Sequence, residues 1–131
     1  MVLLLGALGC ASSGGVRAPP VSARSGAVQL GYASYYSGSL EGNATASGEP
    51  YDPSALTAAH RTLPLGTRIS VTRTDTGRTV VVLVNDRGPY AGTRRIVDLS
   101  RAAARRLDML RAGVVPVRLE VLGVPASRAR R

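Results

Sequence analysis

The chain has 131 residues, 44% of them hydrophobic, and a formal net charge of +9. One Cys and one His exclude an intrachain disulfide and leave a Cys/His zinc site without its four ligands. With no Phe and no Trp, the interior must be filled by Val, Leu, Ile, Ala and five Tyr, which favours a single strand-rich domain because β-branched residues suit a pleated surface.

In chain order, Met1 to Cys10 (MVLLLGALGC) carries an apolar run too short to span a membrane. It reads as a lipoprotein-like signal peptide, with Cys10 as the lipidated residue. It departs from that pattern in having no basic residue before the run and Ala7 where Leu is usual. Residues 11–29 are rich in Ser, Gly, Ala and Pro and read as a flexible tether. Ala33–Tyr36 reads as a first strand, and residues 37–56 as a long loop of the kind that more often serves function than connection.

Thr67–Thr72 (TRISVT) alternates as a half-buried strand. A turn at Thr74–Gly77 leads into Thr79–Val84 (TVVVLV), whose unbroken apolar run predicts a strand buried on both faces. Asn85-Asp86-Arg87-Gly88-Pro89 ends it abruptly. Ile96-Val97 suggests a short strand, Ser100 an N-cap for a helix through about Leu107, and Pro116–Leu122 a last strand before a basic tail at 124–131. The patterned part of the chain thus covers about residues 30–123.

All 17 basic residues are Arg. That is consistent with a GC-rich coding bias or with attraction to a polyanion, and charge alone does not choose. The chain has no zinc-finger, RNP-like or helix-turn-helix pattern, so no nucleic-acid partner is expected. It has no G-x-S-x-G elbow for a nucleophilic serine.

Three groups of segments, in order, resemble the rare lipoprotein A family. They are Ala33-Ser34-Tyr35-Tyr36 with Thr45–Glu49, Thr57–His60 with Leu63–Thr67, and Val84–Pro89 with Asp98-Leu99-Ser100 and Ala102–Ala104. The resemblance runs from about Gly31 to Leu122. It implies a mainly β fold, a six-stranded double-psi β-barrel with one or two short helices. It also implies an endolytic lytic transglycosylase that cleaves between N-acetylmuramic acid and N-acetylglucosamine and leaves 1,6-anhydro ends. No cofactor or metal is implied, and a monomer is expected. The partner is peptidoglycan, in some relatives stripped of its stem peptides. The membrane is met only through a lipid anchor. The location is the periplasmic side of the outer membrane if Cys10 is lipidated, and otherwise the periplasm or the exterior. Many members add a C-terminal repeat domain that binds denuded glycan at the septum; no such repeat follows Leu122, so septal targeting by that route is not expected.

The resemblance carries catalytic roles onto Asp86, Glu49 and His60. The chemistry agrees for Asp86. An anhydro product needs one carboxylic acid that protonates the glycosidic oxygen and then takes the proton of the sugar's own C6 hydroxyl. A hydrolase would usually need a second carboxylate. Arg87 beside it favours the ionised acid unless strand alternation aims it away, and Glu49 could oppose that by like-charge repulsion. Read without the family, Asp86 is a turn-capping Asp, Glu49 a solvated loop carboxylate and His60 a half-buried strand residue with a satisfied hydrogen bond. Tyr36, Arg87 and Tyr90 are the candidate substrate-binding residues. Tyr35, Tyr36 and Tyr90 either stack on sugar rings or fill the core. Arg101, Arg105 and Arg106 read as a solvated helix face. An expansin-like wall-binding module without turnover is the rival reading.

Overall fold

The computed structural model describes residues 20–92 and 94–126. The lipidation at Cys10, the leader at 1–10, residues 11–19 of the proposed tether and the end of the basic tail lie outside the described residues. Six strands are present: β1 (Val28–Tyr35), β2 (Thr57–His60), β3 (Arg68–Arg73), β4 (Thr79–Asp86), β5 (Arg95–Leu99) and β6 (Val115–Gly123). One α-helix, α1 (Arg101–Arg106), links β5 to β6, and a short 3-10 helix spans Gly38–Leu40. The strands close into a barrel in the order β1-β5-β2-β4-β3-β6. β1 runs parallel to β5 and β2 parallel to β4; the other neighbours are antiparallel.

Alternation decides what faces the interior. Val115, Val117, Leu119 and Val121 of β6 point inward and meet Ile69 and Val71 of β3 and Val80, Val82 and Val84 of β4. The β3–β4 hairpin turns at Gly77, which takes φ 84° and donates its amide to the Arg73 carbonyl at 2.7 Å. That left-handed conformation suits a residue without Cβ. Ser100 caps α1 by accepting from the Ala103 amide, and Ala103 and Ala104 bury the helix against the barrel. Arg105 and Arg106 are exposed.

Two expectations are corrected. β4 is not buried on both faces: Val81 and Leu83 are 42% and 41% exposed. A lone closed barrel has one interior, so every second residue of even an all-apolar strand faces out unless another layer covers it. The segment before the barrel is also shorter than a tether through residue 29. β1 begins at Val28, the Gly26 amide donates to the Val121 carbonyl at 2.7 Å, and the Val121 amide donates to Ala27 at 2.8 Å. Backbone groups pair with a neighbouring strand whatever their side chains are, so composition could not reveal this ladder.

Candidate active site

Asp86 ends β4 at the barrel surface, where the strand pairs with Ala59 of β2. Its Oδ1 accepts two backbone amides from opposite sides, Ala46 at 2.8 Å and Arg87 at 2.8 Å. Its Oδ2 accepts from the Tyr36 hydroxyl at 2.5 Å. One oxygen thus accepts two backbone amides, while among the described residues the other accepts from the Tyr36 hydroxyl alone. The loop that crosses over Asp86 is fastened again next door, where the Ser47 amide donates to the Asn85 carbonyl at 3.1 Å.

Tyr36 follows β1 and stacks on Tyr51, with centroids 4.5 Å apart. Tyr51 is buried, and its hydroxyl accepts from the Arg101 amide at the start of α1 at 3.0 Å. Burial first, then the hydrogen bond to Asp86 and its negative charge, push the Tyr36 phenol well above the ordinary tyrosine range. Tyr36 therefore stays a protonated donor toward Oδ2.

Two cavities meet at Asp86 and share Tyr36 and Leu40. One, about 150 Å³, is walled by Tyr51, Asn43, Ala44 and Thr45. The other, about 300 Å³, runs past Arg87, Tyr90, Arg95 and Asp98. Tyr90 is 81% exposed on its rim. The loop from β4 to β5 is held by arginines that bind carbonyls. Arg61 donates to the Pro89 and Arg95 carbonyls at 2.9 Å each, and Arg95 donates to Ala91. Arg87 sends its guanidinium to the carbonyls of His60 and Leu63, at 3.1 and 2.7 Å. Among the described residues the ion pairs are Arg73–Asp75 and Arg118–Glu120, so Arg87 is not paired with Asp86.

Asp86, Tyr36, Arg87 and Tyr90 are brought together; Glu49 and His60 are placed elsewhere. Glu49 belongs to the loop anchored on Asp86, but its side chain is exposed and takes part in no hydrogen bond among the described residues. His60 ends β2 and is 2% exposed. Its Nδ1 accepts the amides of Thr62 and Leu63 at 3.1 Å each, so Nε2 carries the proton and donates to Gln29 Oε1 at 2.9 Å. Its link to Asp86 is indirect, through the Arg87 side chain on its carbonyl.

Burial, then the charges of Arg61 and Arg87, lower the His60 pKa to about 4. The unfolded chain binds this proton more tightly than the folded one. The stability that His60 contributes is therefore complete above pH ~6.5 and lost as pH falls from ~6.5 to ~4, by on the order of 3 kcal/mol. His60→Asn, which keeps an acceptor near the Nδ1 position, should flatten the pH dependence of chemical denaturation over that window relative to the parent protein. Equal slopes for both proteins would refute the assignment.

Asp98 and Ser34 carried no individual role in the sequence reading, yet they line or support the same groove. Ser34 donates to Asp98 Oδ1 and accepts from Arg95 Nη1 at 2.9 Å. A carboxylate between Val97 and Leu99, in a strand with one buried face, was the available signal. Among the described residues no cluster of three or more His, Cys, Asp or Glu could hold a metal ion.

The profile of the lytic transglycolase family matches residues 28–119. The probable endolytic peptidoglycan transglycosylase RlpA of Treponema pallidum (strain Nichols) is 59% identical over 90 residues, 69% of this chain and 28% of that protein. The chain spans well under half the length of the curated relatives it matches. Among solved structures, the Streptomyces papain inhibitor superposes with a TM-score of 0.59 at 27% identity, covering 73% of this chain and 94% of that one. The Clavibacter michiganensis expansin superposes with a TM-score of 0.57 at 27% identity, covering 76% and 52%.

Proposed function

The chain belongs to the lytic transglycolase family, and from that premise we propose that its groove binds a peptidoglycan glycan strand and cuts it without water. One observation carries the reading: Asp86 lies where two cavities meet, with Oδ1 tied to two amides and Oδ2 held by the Tyr36 hydroxyl. The reaction calls on the protonated form of Asp86, with the proton on Oδ2. That proton passes to the glycosidic oxygen between N-acetylmuramic acid and N-acetylglucosamine as that bond breaks. The ionised Oδ2 then takes the proton of the C6 hydroxyl as O6 bonds to C1 and forms the 1,6-anhydro ring. Tyr36 holds Oδ2 in place throughout. Tyr90 offers an exposed ring for stacking on a sugar. Arg87 shapes the wall with its guanidinium partly occupied by carbonyls.

The strand would run across the shared Tyr36–Leu40 ridge, with a sugar on each side of Asp86. We place this chemistry in the cell envelope, with Cys10 as a lipid anchor and the domain acting as a monomer. Both intact and peptide-stripped strands are candidate substrates.

The test uses the full chain with intact and amidase-stripped sacculi, and the released muropeptides are read by mass spectrometry. Anhydro ends are expected. Hydrated reducing ends would overturn the reading in favour of a two-carboxylate hydrolase. The likeness to an expansin motivates a second reading, wall binding without turnover. Pelleting on sacculi with no released product from either substrate would favour it.

A further inference from the structure

The barrel order puts β3 and β6 across the ring from β5 and β2, and Arg95 and Asp98 of β5 line the larger cavity. The outer face of β3 and β6 is therefore the side away from the groove. On β6, the alternation that buries Val117, Leu119 and Val121 turns Arg118 and Glu120 outward. Strand pairing then fixes what surrounds them. Arg118 lies between Leu30 of β1 and Thr72 of β3. Glu120 lies between Val28 of β1 and Ser70 of β3, and Ser70 in turn pairs with Val81 of β4. Arg68 stands opposite Leu83. Val28 and Leu30 are 41% and 59% exposed, so with Val81 and Leu83 this side holds four exposed large hydrophobic side chains; the others among the described residues are Tyr90 and Val114. One exposed aliphatic is ordinary, but four gathered on one side mark an interaction surface.

The charge on this side is positive. Glu120 is the one acid in these rows, against Arg68 and Arg118. Arg24 stands exposed at the border, where the neighbouring Ser25 hydroxyl donates to the Leu122 carbonyl at 3.1 Å. Arg68 has no hydrogen-bond or ion-pair partner among the described residues. Arg118 meets Glu120 at 3.2 Å in a pair open to water, and such a pair is exchanged for another anion at little cost. Shape narrows the partner further. β3 and β6 are paired on both sides, so an incoming strand finds no edge to join. The outer face of a barrel is convex, which offers no cleft to a peptide but suits a partner that yields. Aliphatic side chains set among arginines match the interfacial zone of a bilayer, where apolar groups reach the acyl boundary and guanidinium groups stay at the phosphates.

We propose that this side of the barrel docks on an anionic phospholipid surface. The segment that enters β1 runs along β6 here, with Gly26 and Ala27 paired to Val121, so a lipid anchor upstream at Cys10 would reinforce the same orientation. The groove, across the ring, then faces away from the bilayer and toward glycan. The docking does not depend on the chemistry at Asp86.

The test is flotation of the full chain with vesicles of phosphatidylcholine alone and with vesicles that also contain phosphatidylglycerol. The parent should bind the anionic vesicles more tightly, and added salt should weaken that binding; neither measurement needs a variant to fold. Arg68→Gln with Arg118→Gln should lower affinity for the anionic vesicles by about 20-fold. Leu30→Thr with Leu83→Thr, which keeps side chains that suit a strand, should lower it by at least about 10-fold. Arg105→Gln with Arg111→Gln removes the same charge from the α1 side and should lower it by less than about 3-fold. All are made in the full chain, so any contribution of the apolar leader is common to them. Each should release anhydro muropeptides from sacculi at the parental rate, so failure of the proposed function and failure of docking are read separately. Equal affinity of the parent for both vesicles, parental binding by either pair of substitutions on this face, or an equal loss from the pair on the α1 side would overturn the proposal. So would a dimer in sedimentation that Leu30→Thr with Leu83→Thr dissolves, because a second copy would then cover the face.

Discussion

Asp86→Asn is expected to lower anhydro-muropeptide release from sacculi by between about 10² and 10⁴-fold, the usual weight of a positioned acid/base. The substitution is selective because the two carboxylate oxygens do different work. Asn retains an Oδ1 that can still accept the amides of Ala46 and Arg87, so the loop from Ala44 to Pro50 keeps its anchor. The Nδ2 group facing Tyr36 donates to the phenol oxygen, reversing the present hydrogen bond without emptying it. What disappears is a group able to release and recover a proton. The unfolding transition and pelleting on sacculi should therefore stay close to the parent while turnover collapses. Retained turnover would mean that another carboxylate delivers the proton, and Asp98, on the same cavity wall, would be the first to test.

The second large effect is on stability. Gly31 lies in β1 where that strand crosses β5, and a Cβ built there meets Ile96 Cγ2 at 2.6 Å and the Arg94 carbonyl oxygen at 2.9 Å. Neither neighbour yields easily, since one is a β-branched side chain that is 2% exposed and the other is backbone. Gly31→Val should destabilise the barrel by about 3 kcal/mol, the upper range for overpacking. For a domain of this size that lowers the melting temperature by on the order of 10–20 °C. Activity should fall with it, because β5 carries Asp98 and Arg95. Adding Ile96→Ala removes one of the two clashes and should recover part of the loss. A melting temperature unchanged by Gly31→Val would show that β1 and β5 do not approach this closely.

The same contrast between local and distant causes explains what could be read before folding was considered. The β3–β4 hairpin, the Ser100 cap and the inward set of β6 follow from turn chemistry, capping and alternation, each contained within a few residues of sequence. The exposure of Val81 and Leu83 did not follow, because an apolar run is the same string whether or not a second layer covers its outer face. The resemblance gives His60 a catalytic role, whereas read alone it is a half-buried strand residue with a satisfied hydrogen bond. Its hydrogen bonds run to Gln29, Thr62 and Leu63, and Gln29 lies 31 positions away.

For the site, the residues that converge on Asp86 are far apart in the chain: Tyr36 is 50 positions away and Ala46 is 40. Asp86 and Asp98 come to one cavity wall only once β2 has inserted between β4 and β5. By itself the sequence determined the strand-rich character, the cap and turn positions, and the candidacy of Asp86 at the end of an apolar strand, because those depend on neighbours along the chain. The tertiary structure alone decided which oxygen of Asp86 accepts the two amides, that Tyr36 donates to the other, and that Asp98 lines the same cavity. Those depend on register and barrel closure, which are set by the summed packing of all six strands.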